Sequence, residues 1–250
     1  MNLMSGGIPL GHWFRIKVLL HWTFVIYAII SANNSQSNLR IWAITTGMLF
    51  GTVLLHEFGH CFACRAVKGT ADQIVLWPLG GLAFCAAPHR PWPQIITTAG
   101  GPLVNAILAP ACWALLNYAL PHLVGVVKPE VFIWANIVLA LGFQINLILL
   151  VFNLIPCYPM DGGRLLQGIL WLTTNYRLSL ELTGIVGTVI GAGFVALGLG
   201  LTSITIPILD YRLGTPGSTN FSLIAIGLLG AINSFAIYRQ SQEISRWRKN

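Results

Sequence analysis

Apolar residues run almost unbroken from Ile16 to Ala32, Leu39 to Ala66, Ile95 to Leu120, Val131 to Leu154, Leu180 to Leu201 and Phe221 to Tyr238. A helix that crosses the hydrocarbon core of a bilayer needs about 20 such residues at 1.5 Å each, so these runs read as six spanning helices, the first with the least length to spare. The polar turn SANNSQSN joins helices one and two. Between helices two and three lies DQIVLWPLGGLAFCAAPHRPWP, Asp72 to Pro93, apolar but cut by Pro78, Gly80 and Gly81, with strand-like residues on both sides of the glycines. That pattern predicts a hairpin or re-entrant loop. The expected fold is an all-α polytopic membrane protein of about six transmembrane helices with a re-entrant β-hairpin-like loop between helices two and three. No repeat or appended soluble module is evident, so residues 1–250 read as a single membrane core, with 239–250 as a short basic tail.

Composition strengthens this reading. Hydrophobic residues make up 55% of the 250 positions and charged residues 8%, with a mean hydropathy of +0.73, well outside soluble composition. The net charge of +7 does not point to nucleic acid, because the basic residues are spread between apolar runs instead of clustering with aromatics on one surface. They report topology. MNLMSGGIPLGHWFRIK lacks the short apolar core and small-residue cleavage site of a secretory signal, so the N-terminus is expected to stay in the cytoplasm. Eleven basic residues then fall on the cytoplasmic side, from Arg15 and Lys17 through Arg65, Lys68, Arg90, Arg164 and Arg177 to Arg239, Arg246, Arg248 and Lys249. Arg40, Lys128 and Arg212 fall outside. This is the asymmetry of the positive-inside rule, and it places both termini in the cytoplasm. Five cysteines scattered through apolar runs argue against a disulfide framework and read as reduced packing residues.

One stretch changes the picture from topology to chemistry. LLHEFGHCFA, Leu54 to Ala63, sets His56, Glu57 and His60 inside the second apolar run. Residues i and i+4 share a helix face, so both imidazoles can reach one metal ion, and the glutamate between them can reach a metal-bound water. With six histidines and four glutamates in the chain, an H-E-x-x-H spacing arises by chance with a probability of about 0.2%, from composition alone. Each charged group at mid-membrane costs on the order of 3 kcal/mol, and helix two offers Glu57 no cationic partner except a metal. The bland alternative is a pair of hydrogen-bonded core histidines with Glu57 as a structural ion-pair partner.

A catalytic zinc takes three protein ligands and keeps one position open, so a third donor is needed. Asp72, Glu130, Glu181, Asp210 and Glu243 fall in loops, in the tail or at a helix start, whereas Asp161 follows the fourth helix on the expected cytoplasmic side. Its context is NLIPCYPMDGGRLL, Asn153 to Leu166, in which Pro156 and Pro159 break the helix and two glycines permit tight backbone. Asp161 could instead serve only as the N-cap of the RLLQGILWL helix. Cys64 lies on the same stripe as the histidines and could approach the metal. His21 reads as interfacial, with some chance of touching the site, and His12, His89 and His122 as loop or interface residues.

HEFGH in helix two, GGPLVN at Gly100 to Asn105 and NLIPCYPMDGGR after helix four resemble the site-2 protease family of intramembrane metalloproteases, in its compact prokaryotic form without a PDZ or a C-terminal nucleotide-sensing domain. The motifs cover helices two to four, and the PLGG hairpin also fits. The resemblance implies one Zn2+ per chain, held by His56, His60 and Asp161, with Glu57 as catalytic acid and base. It also implies transmembrane substrates, cut in regulated intramembrane proteolysis or in clearance of signal-peptide remnants. The setting implied is a prokaryotic cell membrane with the active site toward the cytoplasm, the lipid bilayer as partner and no nucleic acid. Gly80 and Gly81 in the hairpin, together with Asn105 and Asn153, are the candidate contacts to substrate. Rival readings are a metal transporter and a non-catalytic metal-binding scaffold.

Overall fold

The computed structural model describes residues 7–34, 38–78, 80–206 and 211–247. Outside them fall Ser35 to Ser37 of the polar turn, Leu79 of the hairpin, and Arg248 and Lys249 of the basic tail. About 70% of the described residues are helical, and among them five helices are long and apolar enough to cross a membrane: Leu39–Ala66, Pro91–Leu123, Pro129–Asn153, Tyr176–Gly198 and Phe221–Arg246.

The expected first span is the main departure. Ile16 to His21 is a strand, and only Trp22–Asn34 is helix, about 20 Å long at 1.5 Å per residue and too short for the hydrocarbon core. The reason lies in pairing. Strand β2 (Ile16–His21) runs antiparallel to β1 (Gly7–Trp13) and parallel to β3 (Thr70–Trp77), which forms an antiparallel hairpin with β4 (Gly80–Ala86). The sheet order is β1-β2-β3-β4. Ile16 and Val18 of β2 and Ile74 of β3 are fully buried, and they pack with Val53, Phe58, Cys61 and Cys64 of helix α2 (Leu39–Ala66). The sheet is the part of the molecule that an all-α expectation left out, and helix α1 is what remains of the first span. In the hairpin, Gly80 takes φ +143°, a conformation that side chains disfavour.

The chain divides into two compact units, residues 1–89 with 96–151, and residues 90–95 with 152–250. The first unit holds the sheet, α1, α2, most of α3 (Pro91–Ala114) and most of α4 (Pro129–Asn153). Helix α2 starts at Asn38, whose side chain accepts from the Ile41 N–H, and buries Phe50, Val53, Glu57, His60 and Cys64 along one stripe at spacings of three and four. Arg65 in its last turn donates to the carbonyls of Phe14, Arg15 and Ala71, tying the β1–β2 turn to the start of β3. Helices α2 and α3 meet at Gly59 and Gly100, where a Cβ on either residue would strike the other's backbone carbonyl. Two glycines therefore set how closely the histidine-bearing helix approaches α3.

In the second unit, α5 (Asp161–Thr173), α6 (Tyr176–Gly198) and α7 (Phe221–Trp247) follow a loop from Leu154 to Met160. Helix α7 continues past Tyr238 to Trp247, so most of the expected basic tail is helical. Close helix packing on small residues joins α6 to α7: a Cβ at Gly184, Gly191 or Gly227 would meet backbone of the opposite helix. The loop is seated on this pair, with Tyr158 N–H donating to Ser234 Oγ at 3.0 Å and Cys157 Sγ to the Gly187 carbonyl at 3.2 Å.

Candidate metal centre

His56 and His60 face the same way from α2 and are 5% and 9% exposed. Each uses one ring nitrogen to fix its orientation. His56 Nδ1 lies 2.6 Å from Asn105 Oδ1, and His60 Nδ1 lies 2.9 Å from the Thr97 carbonyl. Oxygens of this kind only accept, so both Nδ1 atoms carry the hydrogen. The Gly101 N–H also lies 3.3 Å from His60 Nδ1. That longer contact is secondary, because Gly101 is in helical register to bond the same Thr97 carbonyl. The two Nε2 atoms thus face each other, 3.1 Å apart.

A tetrahedral zinc with Zn–N near 2.0–2.1 Å spaces two nitrogens about 3.3 Å apart, so the pair fits such an ion with a shift of a few tenths of an ångström. Gly101 makes the room, since a Cβ there would press on both Nε2 atoms. Asp161, buried at 7% exposure, completes a group in which each of His56, His60 and Asp161 offers one ligand atom and all three atoms lie within 4.8 Å of one another. Two imidazoles and a carboxylate form the donor set of a catalytic zinc.

Asp161 reaches its place through the broken backbone that the sequence announces. Helix α4 stops at Asn153, and the loop folds back so tightly that a Cβ on Gly162 would strike the carbonyls of Leu154 and Ile155. Met160, not Asp161, occupies the N-cap of α5, and it caps with no side-chain hydrogen bond. Asp161 is the first helical residue, so the reading of it as the N-cap gives way, although its charge still suits the positive end of a helix.

Glu57 is 7% exposed and lies against β4, where a Cβ on Gly81 would fall on its carboxylate. Gly81 therefore lets the hairpin close over the glutamate. Asn105 is spent on His56 and on Asn146, to which its Nδ2 donates at 2.9 Å. Asn153 is the half-buried last residue of α4. Cys64 turns its thiol to the Thr70 carbonyl at 3.3 Å and is not among the metal group of the described residues. His21 ends β2 with Nδ1 at 2.7 Å from Thr23 Oγ1. All five cysteines are free thiols.

Sequence reasoning passed over Thr97, Gly101 and Asn146. Thr97 acts through its carbonyl, which no residue type advertises, and Gly101 acts through the absence of a side chain. Asn146 had a visible signal: it is an amide within the most apolar span of the chain, Pro129–Asn153, at a hydropathy of 2.2, and such a residue calls for a partner.

The family model of peptidase family M50 matches residues 44–130 and 119–197, which include most of α2, the hairpin and Asp161 at the start of α5. A zinc metalloprotease of Methanocaldococcus jannaschii is 31% identical over 204 residues, covering 81% of this chain and 56% of that protein. A Synechocystis protein, provisionally named a zinc metalloprotease, is 30% identical over 214 residues, covering 80% of this chain and 53% of its own length. The chain thus spans about half the length of the curated relatives it matches. The solved site-2 protease of Methanocaldococcus jannaschii shares the fold, with a TM-score of 0.57 over 93% of this chain and 95% of that one at 24% identity. With the matched region containing both histidines, the glutamate and the aspartate, the chain belongs to peptidase family M50.

Proposed function

We propose that this protein is an intramembrane zinc endopeptidase that hydrolyses peptide bonds within or near transmembrane segments of other membrane proteins. The observation that carries the proposal is the pair of buried imidazoles with converging Nε2 atoms, on a helix long enough to span a bilayer, with Glu57 between them in sequence. His56, His60 and Asp161 would hold the ion. When bound, zinc supplies Lewis acidity, which makes its water a nucleophile near neutral pH and polarises a carbonyl. Glu57 would accept a proton from the attacking water on its carboxylate and return it to the leaving amine. The charge asymmetry supports a site opening toward the cytoplasm with both termini on that side. Purified in detergent with a model transmembrane helix, the protein should produce fragments cut within that helix, lose the activity to a zinc chelator and regain it with zinc. Cleavage that persists in chelator, with the metal gone by elemental analysis, would refute the metalloprotease reading.

A helical substrate hides its carbonyls in i to i−4 bonds, so the bond to be cut must first be unwound, and the extended segment then needs backbone partners. The hairpin is our candidate, re-entering the membrane beside the site. Among the described residues β4 pairs only with β3, which leaves one ladder edge for a substrate strand, with Gly80 and Gly81 at its start and Asn153 as a further contact. N-methylation of alternate substrate residues beside the scissile bond is expected to slow cleavage about tenfold for one alternate set and little for the other, since single ladder bonds contribute about 1 kcal/mol. Equal sensitivity of both sets would rule out strand addition.

A further inference from the structure

Among the buried polar groups near the imidazoles, Asn146 of α4 directs its amide hydrogen bonds away from both rings, and it is 3% exposed and bonded at both ends of that amide. Its Nδ2 donates to the Gly142 carbonyl at 2.8 Å, and its Oδ1 accepts from Asn105 Nδ2 at 2.9 Å. Asn105, fully buried, presents its Oδ1 in turn to His56 Nδ1.

The direction of this series is decided at its far end. The two ends of an asparagine amide have nearly the same shape, so packing alone does not tell Asn105 which way to face. Turned over, it would aim its NH2 at His56 Nδ1, favour the ring form with hydrogen on Nε2, and remove the lone pair a metal needs. A backbone carbonyl cannot donate, so Gly142 requires the NH2 of Asn146, Asn146 then offers only an oxygen to Asn105, and Asn105 is left with only an oxygen for His56. With both amides out of reach of bulk water, a wrong orientation leaves buried groups facing like groups, at a cost of about 1–3 kcal/mol.

We infer that Asn146 is a positioning residue for the metal: by holding the Asn105 amide in one orientation, it keeps the Nε2 of His56 available as a ligand. The inference rests on the zinc reading above. Partners one step beyond the ligands typically change metal affinity 10–100-fold.

Zinc dissociation constants, measured by chelator competition on the metal-depleted full chain in detergent, provide the test in a cycle of native protein, Asn146→Leu, Asn105→Asp and the double variant. Asn146→Leu should weaken zinc about tenfold. An aspartate at 105 has two accepting oxygens and no wrong end, so in the Asn105→Asp background the same leucine should leave affinity within about threefold or tighten it. An equal loss in both backgrounds would make Asn146 a packing residue, and no loss in the native background would dismiss it altogether; either overturns the inference while the zinc site stands. A native chain that takes up no zinc instead removes the zinc reading on which the inference rests.

Discussion

Glu57→Gln is expected to lower cleavage of a transmembrane substrate by about two to four powers of ten, the usual contribution of a positioned acid and base, while bound zinc stays near one per chain. Glutamine keeps the length and planarity of the carboxylate, so the contact with Gly81 on β4 is preserved. It also keeps the hydrogen bonds that His56 makes to Asn105 and His60 to the Thr97 carbonyl. What glutamine cannot do is take a proton from water. Turnover and zinc content, measured on the same preparation, separate chemistry from assembly. Equal cutting by both proteins would strip Glu57 of its role, whereas joint loss of zinc and activity would make it part of the binding site.

Much of that site was legible because its key spacing is local. His56 and His60 sit four apart, and a helix needs nothing more to bring them together. Asp161 was legible for a different reason: prolines, glycines and a lone carboxylate after an apolar run are informative wherever the bilayer excludes water. The structure adds that the aspartate is seated at the first turn of α5, not at its cap. The strand β2 was not legible. The six residues from Ile16 to His21, four of them apolar, carry no period that tells strand from helix, and what makes them a strand is parallel pairing of Lys17 to Leu20 with Gln73 to Leu76, more than fifty residues on. Such non-local pairing leaves no mark on a local pattern. The length of α7 was misread from the opposite cause, since RQSQEISRW loses hydrophobicity after Tyr238 but keeps good helix formers, so leaving the apolar run did not mean leaving the helix. Asn146 shows the limit most clearly: its residue type flagged it, and only the fold shows which amide it serves.

Gly101→Ala is expected to abolish stable zinc binding in an otherwise folded protein. The side chain it adds is one methyl, and alanine is a better helix former than glycine, so α3 itself should gain slightly. The methyl has nowhere to go, however. Its ideal position collides with the Nε2 atoms of both His56 and His60, the two atoms that face the ion. Neither ring can swing aside freely: His56 is held by Asn105 and His60 by the Thr97 carbonyl, one turn before Gly101 on the same helix. Withdrawing α3 would give up the close backbone contact between Gly59 and Gly100. Relief must come from breaking a histidine's orienting bond or from tilting both imidazoles, and either misplaces a ligand that zinc tolerates only within about 0.2 Å. Zinc affinity by chelator competition should therefore fall by at least about 100-fold, the upper end of what lost orienting partners cost, and cleavage should fall with it. The metal-free protein should stay folded, its thermal unfolding lowered by no more than the about 1–3 kcal/mol that losing one buried orienting bond costs. Zinc affinity within about threefold of native would mean that the two imidazoles do not meet in front of Gly101 when the ion is bound, and the site would have to be redrawn.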